Sequence, residues 1–259
     1  MKKVIGLVLG GGGAKGAYQV GVLKALKEYK LLKYVDYVSG TSIGALNAMK
    51  VLENDIDGAI DIWNNVTKEM ALSKTSFFTK LRTKSIFSRD GFKVLVNEKM
   101  DLEKVSKSKT KCYIVATPVS RKIIDAPTEF LVNGKEKEEI LNYLLASSAI
   151  PVVFEPVVIN GIKYVDGFGV SNTPITTLKN RGCNVIFVVP LQETSDAYKY
   201  SDNDTLIIDF VSSSNNQGIN VGTLDFVSSR GKERLDIGYK VASSLIEKLL
   251  KEKVIAIKW

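Results

Sequence analysis

Gly40-Thr41-Ser42-Ile43-Gly44 is a G-x-S-x-G stretch set between a strand-like run and a helix-like run. A nucleophile elbow requires that spacing. The chain turns so sharply that side chains two residues either side of the serine would collide, so Gly40 and Gly44 must both be glycine. The turn exposes the serine Oγ. It also sets the N-terminus of the following helix beneath a reacting carbonyl, where its partial positive charge favours an oxyanion. The chemistry in view is acyl transfer through Ser42. The chain contains no histidine. That removes Ser-His-Asp and Cys-His systems, histidine-ligated metals and histidine bases, so a carboxylate or a lysine must take the serine's proton.

Asp166 in "YVDGFGVSNTP" is the best-placed carboxylate. An apolar strand leads into Asp166-Gly167, from which a loop can reach back to the serine. Aspartate is a weak base in water, with a reference pKa near 3.9. A partly desolvated site raises it toward useful basicity. Asp-Gly is also a common turn, and that bland reading stands beside the catalytic one.

An oxyanion needs donors. "VIGLVLGGGGAKGAYQV" carries four consecutive glycines between a strand-like and a helix-like run. A P-loop would need G-x-x-x-x-G-K-[ST]. Here Ala14 precedes Lys15 and Gly16 follows it, so both flanking requirements fail. The dinucleotide fingerprint G-x-G-x-x-G does match at Gly11, Gly13 and Gly16, and Asp36 falls near the expected offset. Asp36 comes early in its strand, however, and "SGTSIGA" occupies the end where a ribose-binding acid belongs. The third reading is a loop of bare N–H groups that receives an oxyanion, with Lys15 adding a cation nearby.

These residues need a scaffold. Strand-like runs fall at residues 4–9, 34–39, 112–119, 184–191 and 205–210. Most are apolar throughout, the pattern of strands covered on both faces. Helical periodicity appears at residues 17–29, 44–53, 57–70 and 137–149. Alternating strands and helices predict an α/β three-layer sandwich with a mostly parallel central sheet. Asn160-Gly161 between apolar runs predicts a hairpin. Residues 231–253 form an amphipathic helix with Leu235, Tyr239, Ala242, Leu245, Ile246 and Leu249 on one face, expected to cover the sheet.

The net charge is +8 and the pI about 9.2. Such a balance suits an anionic partner, or only a lysine-rich solvated surface. Residues 74–93 concentrate it: Lys74, Lys80, Arg82, Lys84, Arg89 and Lys93 stand against Asp90 alone, which is +5 of the +8. Phe77, Phe78, Phe87 and Phe92 are interleaved among them. The stretch suits docking on anionic lipid, or a packed subdomain with solvated lysines. Cys112 and Cys183 make neither a disulfide framework nor a zinc site. As buried free thiols they fit a reducing, cytoplasmic compartment. The opening "MKKVIGLVLGGGGAKG" is a first strand rather than a signal peptide, because its apolar stretch is short and lacks a small-residue cleavage site. No apolar run reaches the ~18 residues of a membrane span.

Taken together, Gly11-Gly12-Gly13-Ala14-Lys15-Gly16, Gly40 to Gly44 and Asp166-Gly167 resemble the patatin-like phospholipase family. The family combines a G-G-G-x-[KR]-G loop, a G-x-S-x-G elbow and a D-G-[GA] segment. "ASSAIPVVFEPV" and Asn172-Thr173-Pro174 look like the segments flanking its aspartate. The resemblance runs from Lys3 to about Arg181. It implies one patatin-like α/β domain over residues 1–259, with a basic and aromatic insertion around residues 70–110. It implies a lipid acyl hydrolase that cleaves phospholipid or lysophospholipid esters through a Ser42–Asp166 dyad. Gly12 and Gly13 N–H groups, with Lys15 nearby, would hold the oxyanion, and elbow geometry adds the Ile43 N–H. No metal and no cofactor is implied. The expected partners are a lipid ester and an anionic membrane surface touched peripherally, not nucleic acid. One departure stands out: Phe168 replaces the small residue of D-G-[GA]. It would narrow an acyl pocket, or the loop would turn at Gly169 instead. It is also the sequence support for the alternative, a catalytically impaired lipid-binding protein of the same fold.

Overall fold

The computed structural model describes residues 3–65, 73–74, 87–88, 90–119, 126–192, 194–211 and 228–255. β1 (Ile5–Leu9) leads into the glycine loop and α1 (Gly16–Glu28) leaves it. β2 (Tyr37–Thr41) runs through the serine turn into α2 (Ile43–Leu52), and α3 (Ile56–Asn65) follows. The short strands β3 (Ser73–Lys74) and β4 (Phe87–Ser88) pair with each other. Next come α4 (Asp90–Lys99), α5 (Leu102–Ser106), β5 (Lys111–Pro118), β6 (Thr128–Leu131) and α6 (Lys137–Ser147). β7 (Val157–Ile159), β8 (Ile162–Asp166), α7 (Ile175–Lys179), β9 (Val185–Val189), β10 (Leu206–Asp209) and α8 (Ser228–Lys251) complete the order.

Among the described residues, eight strands form one sheet in the order β10-β9-β1-β2-β5-β8-β7, with β6 also on β5. From β10 to β5 all neighbours are parallel, and β6, β8 and β7 are antiparallel. The expected mostly parallel α/β sandwich is present. Its strands are apolar along their length because each face is covered: Leu7, Leu9 and Phe187 cluster with Val22, Leu26 and Met49 of α1 and α2, while Val8, Ile186 and Val188 cluster with Ile175 and Leu178 of α7. The chain leaves β1 toward β2 on one side, and β9 joins β1 on the other. The carboxyl end of β1 therefore opens at a topological switch, where open α/β sheets place their ligands.

The Asn160-Gly161 pair turns between β7 and β8 with φ of 50° and 81°, the two positive values of a type I′ turn. Both cysteines are buried free thiols, and burial pushes Cys183 up to about 12. The basic stretch is described only at residues 74, 87–88 and 90–93. Its central residues and their expected contact with anionic lipid lie outside the described residues. No helix among the described residues is long and apolar enough to cross a membrane.

The C-terminal helix buries the expected face: Ala242 and Ile246 of α8 belong to the same cluster as Phe187, Ile208 and Phe210 of the sheet. It also packs extensively along α1. α1 is buried almost all round: Tyr18, Val22, Leu23 and Leu26 share a cluster with sheet residues, and α8, α2 and α3 pack along it. α1 and α8 approach at glycines. A Cβ on Gly21 would lie 2.0 Å from the Leu235 carbonyl oxygen, and one on Gly238 would lie 2.1 Å from that of Tyr18. Gly238→Ala is expected to force the helices apart and cost about 2–3 kcal/mol of stability. Thermal melting checks this, and an unchanged midpoint would contradict so close a crossing.

Candidate active site

The elbow stands at the carboxyl end of β2. Ser42 has φ 56° and ψ −124°, a strained conformation for a non-glycine residue, between the last strand residue and the first turn of α2. Strain of this kind persists only where the surroundings impose it. The Ser42 N–H donates to Ser147 Oγ at 2.8 Å, and Ser147 Oγ donates onward to the Val115 carbonyl at 2.6 Å. The two elbow glycines prove necessary for different reasons. A Cβ on Gly40 would sit 2.7 Å from Ala45 Cα, the collision across the turn that the sequence implied. A Cβ on Gly44 would instead sit 2.1 Å from the Leu9 carbonyl oxygen. Gly44 lets α2 press against the end of β1, which brings the elbow beside the glycine loop.

Asp166 ends β8 and lies across β5 from the elbow: Thr41 pairs with Val115, and Ala116 pairs with Asp166. Two strand spacings, about 10 Å between backbones, separate Ser42 from Asp166, a gap that two facing side chains can close. The carboxyl is buried, 3% exposed. Oδ1 accepts from the Phe168 N–H at 2.9 Å, and Oδ2 has no formed hydrogen bond among the described residues. Burial pushes its pKa up to about 6, against the opposing influence of the nearby Ser42 hydroxyl and the Phe168 N–H. The bulk of Phe168 is 65% exposed, so it points outward and leaves the carboxyl's N–H contact intact. The loop makes a tight turn over Gly167–Gly169.

Between the elbow and the glycine loop runs the segment after Asp166. Thr41 Oγ1 donates to the Ser171 carbonyl and Ser39 Oγ to that of Pro174. Gly11 N–H donates to the Asn172 carbonyl at 2.9 Å, and Asn172 Nδ2 donates back to the Gly11 carbonyl at 3.2 Å. The loop's carbonyls are held one by one. Gln19 Nε2 donates to Gly10 at 2.8 Å, Lys15 N–H to Gly12 at 3.2 Å, Arg234 Nη1 to Ala14 at 2.8 Å and Asn47 Nδ2 to Gly16 at 3.0 Å. Asn47 is itself tied to Gln19 and to the Trp63 indole N–H. By contrast, the N–H groups of Gly12, Gly13 and Ile43 find no acceptor among the described residues. Gly13 has φ 55° and opens a short turn over Gly13–Lys15. The Lys15 side chain is half-buried, with no hydrogen bond or ion pair among the described residues.

The structure thus gathers Ser42, Asp166, Gly11, Gly12, Gly13, Lys15, Gly16, Gly40, Ile43, Gly44 and Gly167 around one sheet edge. It places Asp36 elsewhere. Asp36 Oδ2 accepts from the Ile5 N–H at the amino ends of the strands, the opposite end from the glycine loop. That geometry removes the ribose-binding role a dinucleotide fingerprint would need. Sequence reasoning missed Gln19, Asn47, Trp63, Ser147 and Arg234. Polar residues inside apolar helical runs, such as Gln19 and Asn47, were the available signal. No group of three or more His, Cys, Asp or Glu side chains among the described residues could hold a metal ion.

A strained strand–serine–helix elbow on a mostly parallel, helix-covered sheet defines the class, an α/β fold with nucleophile-elbow geometry. A family model described as patatin-like phospholipase matches residues 7–179, and the chain belongs to that family. The chain is 27% identical over 214 residues to lysophospholipase NTE1 of Kluyveromyces lactis, covering 79% of itself and 14% of that protein. It is 28% identical over 214 residues to the Saccharomyces cerevisiae lysophospholipase NTE1, covering 79% of itself and 12% of that protein. The chain therefore spans only a small part of these relatives. In fold it is similar to human GIVD cytosolic phospholipase A2, with a TM-score of 0.62 at 14% identity, covering 97% of this chain and 60% of that one. It is also similar to VipD from Legionella pneumophila, with a TM-score of 0.51 at 15% identity, covering 95% and 67% of the two chains.

Proposed function

We propose that this chain is a serine acyl hydrolase that cleaves carboxylic esters of phospholipids or lysophospholipids. The observation that carries the reading is the buried Asp166 carboxyl. It has one unpartnered oxygen and a pKa of about 6, and it stands beside a strained elbow serine. Ser42 Oγ attacks the ester carbonyl while Asp166 Oδ2 takes its proton. The tetrahedral oxyanion is received by the open N–H groups of Gly12, Gly13 and Ile43, with the Lys15 ammonium adding positive charge. Asp166 returns the proton to the leaving alkoxide, and an acyl-Ser42 ester remains. Asp166 then deprotonates a water that attacks this ester; as the Oγ–acyl bond breaks, Asp166 passes that proton to Ser42 Oγ and the fatty acid leaves. The names of the fungal relatives support a lysophospholipid substrate, and the family description supports a phospholipid. The +8 charge supports contact with an anionic membrane surface.

A fluorophosphonate is expected to add to Ser42 alone, identified by peptide mass spectrometry. Incubation with a mixed lipid extract is expected to release fatty acid and the matching lysolipid or glycerophosphodiester. Labelling at another residue, or wild-type products indistinguishable from those of Ser42→Ala, would overturn the assignment.

A further inference from the structure

Arg234 lies on α8, far along the chain from the glycine loop, yet it is 1% exposed and ranks first among the largest fully buried side chains. A guanidinium is rarely buried so completely unless its donors are engaged. Nη1 donates to the Ala14 carbonyl at 2.8 Å, inside the loop that carries the candidate oxyanion donors. From that carbonyl a line of peptide groups leads to the site. The Ala14 C=O and the Lys15 N–H are the two ends of one peptide. The Lys15 N–H donates to the Gly12 carbonyl at 3.2 Å. The Gly12 C=O and the Gly13 N–H are the two ends of the next peptide, and the Gly13 N–H finds no acceptor among the described residues.

We infer that Arg234 is a positioning residue for the oxyanion loop. It holds the Gly12–Lys15 turn and polarises the Gly13 N–H through two peptides. The sign of every dipole agrees. Each carbonyl oxygen faces back toward the guanidinium, and each N–H faces on toward the place where negative charge develops. Hydrogen bonds in series polarise one another, and the first donor of this series is charged. The device favours the tetrahedral oxyanion over the neutral ester, so it acts on kcat rather than on substrate binding. It also gives α8 a part in the chemistry beyond covering α1. The inference rests on reading Gly12 and Gly13 as oxyanion donors.

The test uses the full chain with Arg234→Met, Arg234→Gln and Arg234→Lys. The readouts are kcat and KM on a soluble short-chain aryl ester, inhibition by a trifluoromethyl ketone and inhibition by the product fatty acid. The ketone adds to the serine as an anionic hemiketal, so its affinity reports the oxyanion site. The fatty acid reports the acyl site. In the Met and Gln variants, kcat and trifluoromethyl ketone affinity are expected to fall together, by about 10- to 100-fold, as for weakening one oxyanion donor. KM and fatty acid inhibition are expected to stay within about twofold. Arg234→Lys keeps the charge and is expected to recover part of the loss. Unchanged ketone affinity overturns the inference, and so does a parallel weakening of ketone, fatty acid and KM, which marks general loosening. Should the Met variant not fold, Gln against Lys decides, and equal ketone affinity in the two overturns it. A wild-type protein insensitive to the ketone overturns the serine-hydrolase reading itself. Wild-type sensitivity with unaffected Arg234 variants overturns only the role of Arg234.

Discussion

Ser42→Ala is expected to lower ester hydrolysis by at least about 10⁴-fold, with KM little changed and the fold intact. Removing the nucleophile of a unit in which serine, base and oxyanion site act together forfeits nearly all that the unit supplies. What survives is catalysis by the oxyanion loop and by binding alone. The fold should tolerate the change. The strained elbow is held through the Ser42 N–H to Ser147, which alanine retains. Steady-state rates on a soluble ester, with circular dichroism of both proteins, check this. Activity within tenfold of wild type would place the nucleophile elsewhere.

Asp166→Asn is expected to give an inactive protein that is more stable than wild type above pH 6. Burial raises the carboxyl in the folded chain from 3.8 to about 6, so the folded state binds this proton more tightly than the unfolded chain does. Well below pH 3.8 the group is neutral in both states and no charge is buried. As pH rises through the window from 3.8 to 6, the folded state must increasingly bury a charge. Above it the cost is complete, about 3 kcal/mol at most. Asparagine carries no charge, so about 1–3 kcal/mol should be regained at pH 8 and almost none at pH 3. Thermal melts at the two pH values measure it, and an equal gain at both would contradict the desolvation account. Loss of the base is expected to lower activity by on the order of 10³-fold. For wild type, kcat/KM should rise with pH through a midpoint of about 6, since only the ionised carboxylate accepts the serine proton. A profile flat between pH 5 and 8 would remove Asp166 as the base.

Short-range features carried most of the legible information. The G-x-S-x-G spacing sets the elbow because a Cβ at Gly40 meets Ala45 within the turn itself. The apolar runs became the parallel strands because burial on both faces leaves no place for alternating polar residues. Asn160-Gly161 became a type I′ turn because few other pairs accept two positive φ values. The absence of histidine, read from composition alone, leaves a carboxylate or a lysine to take the serine's proton.

Contacts distant in sequence decided the rest. Asp166 becomes a candidate base only when β8 buries it opposite the elbow, because burial, not residue type, lifts its pKa. Asp36 matched a fingerprint by offset but lies at the wrong end of its strand. Gly44 reads as part of the turn, yet the atom it makes room for is the Leu9 carbonyl on another strand. The apolar face of α8 predicts burial in the sheet's core cluster but does not say which helix lies alongside it. Gly21 and Gly238 select α1 as that partner by letting the two backbones touch. Arg234 sits beside Leu235 in a charged helix, where nothing in the periodicity marks it for burial. The sequence by itself determined the local backbone forms and the reactive groups they carry, since sterics and side-chain chemistry act within a few residues. The tertiary structure decided which groups meet and how far water is excluded, and desolvation and dipole alignment exist only once distant segments are packed together.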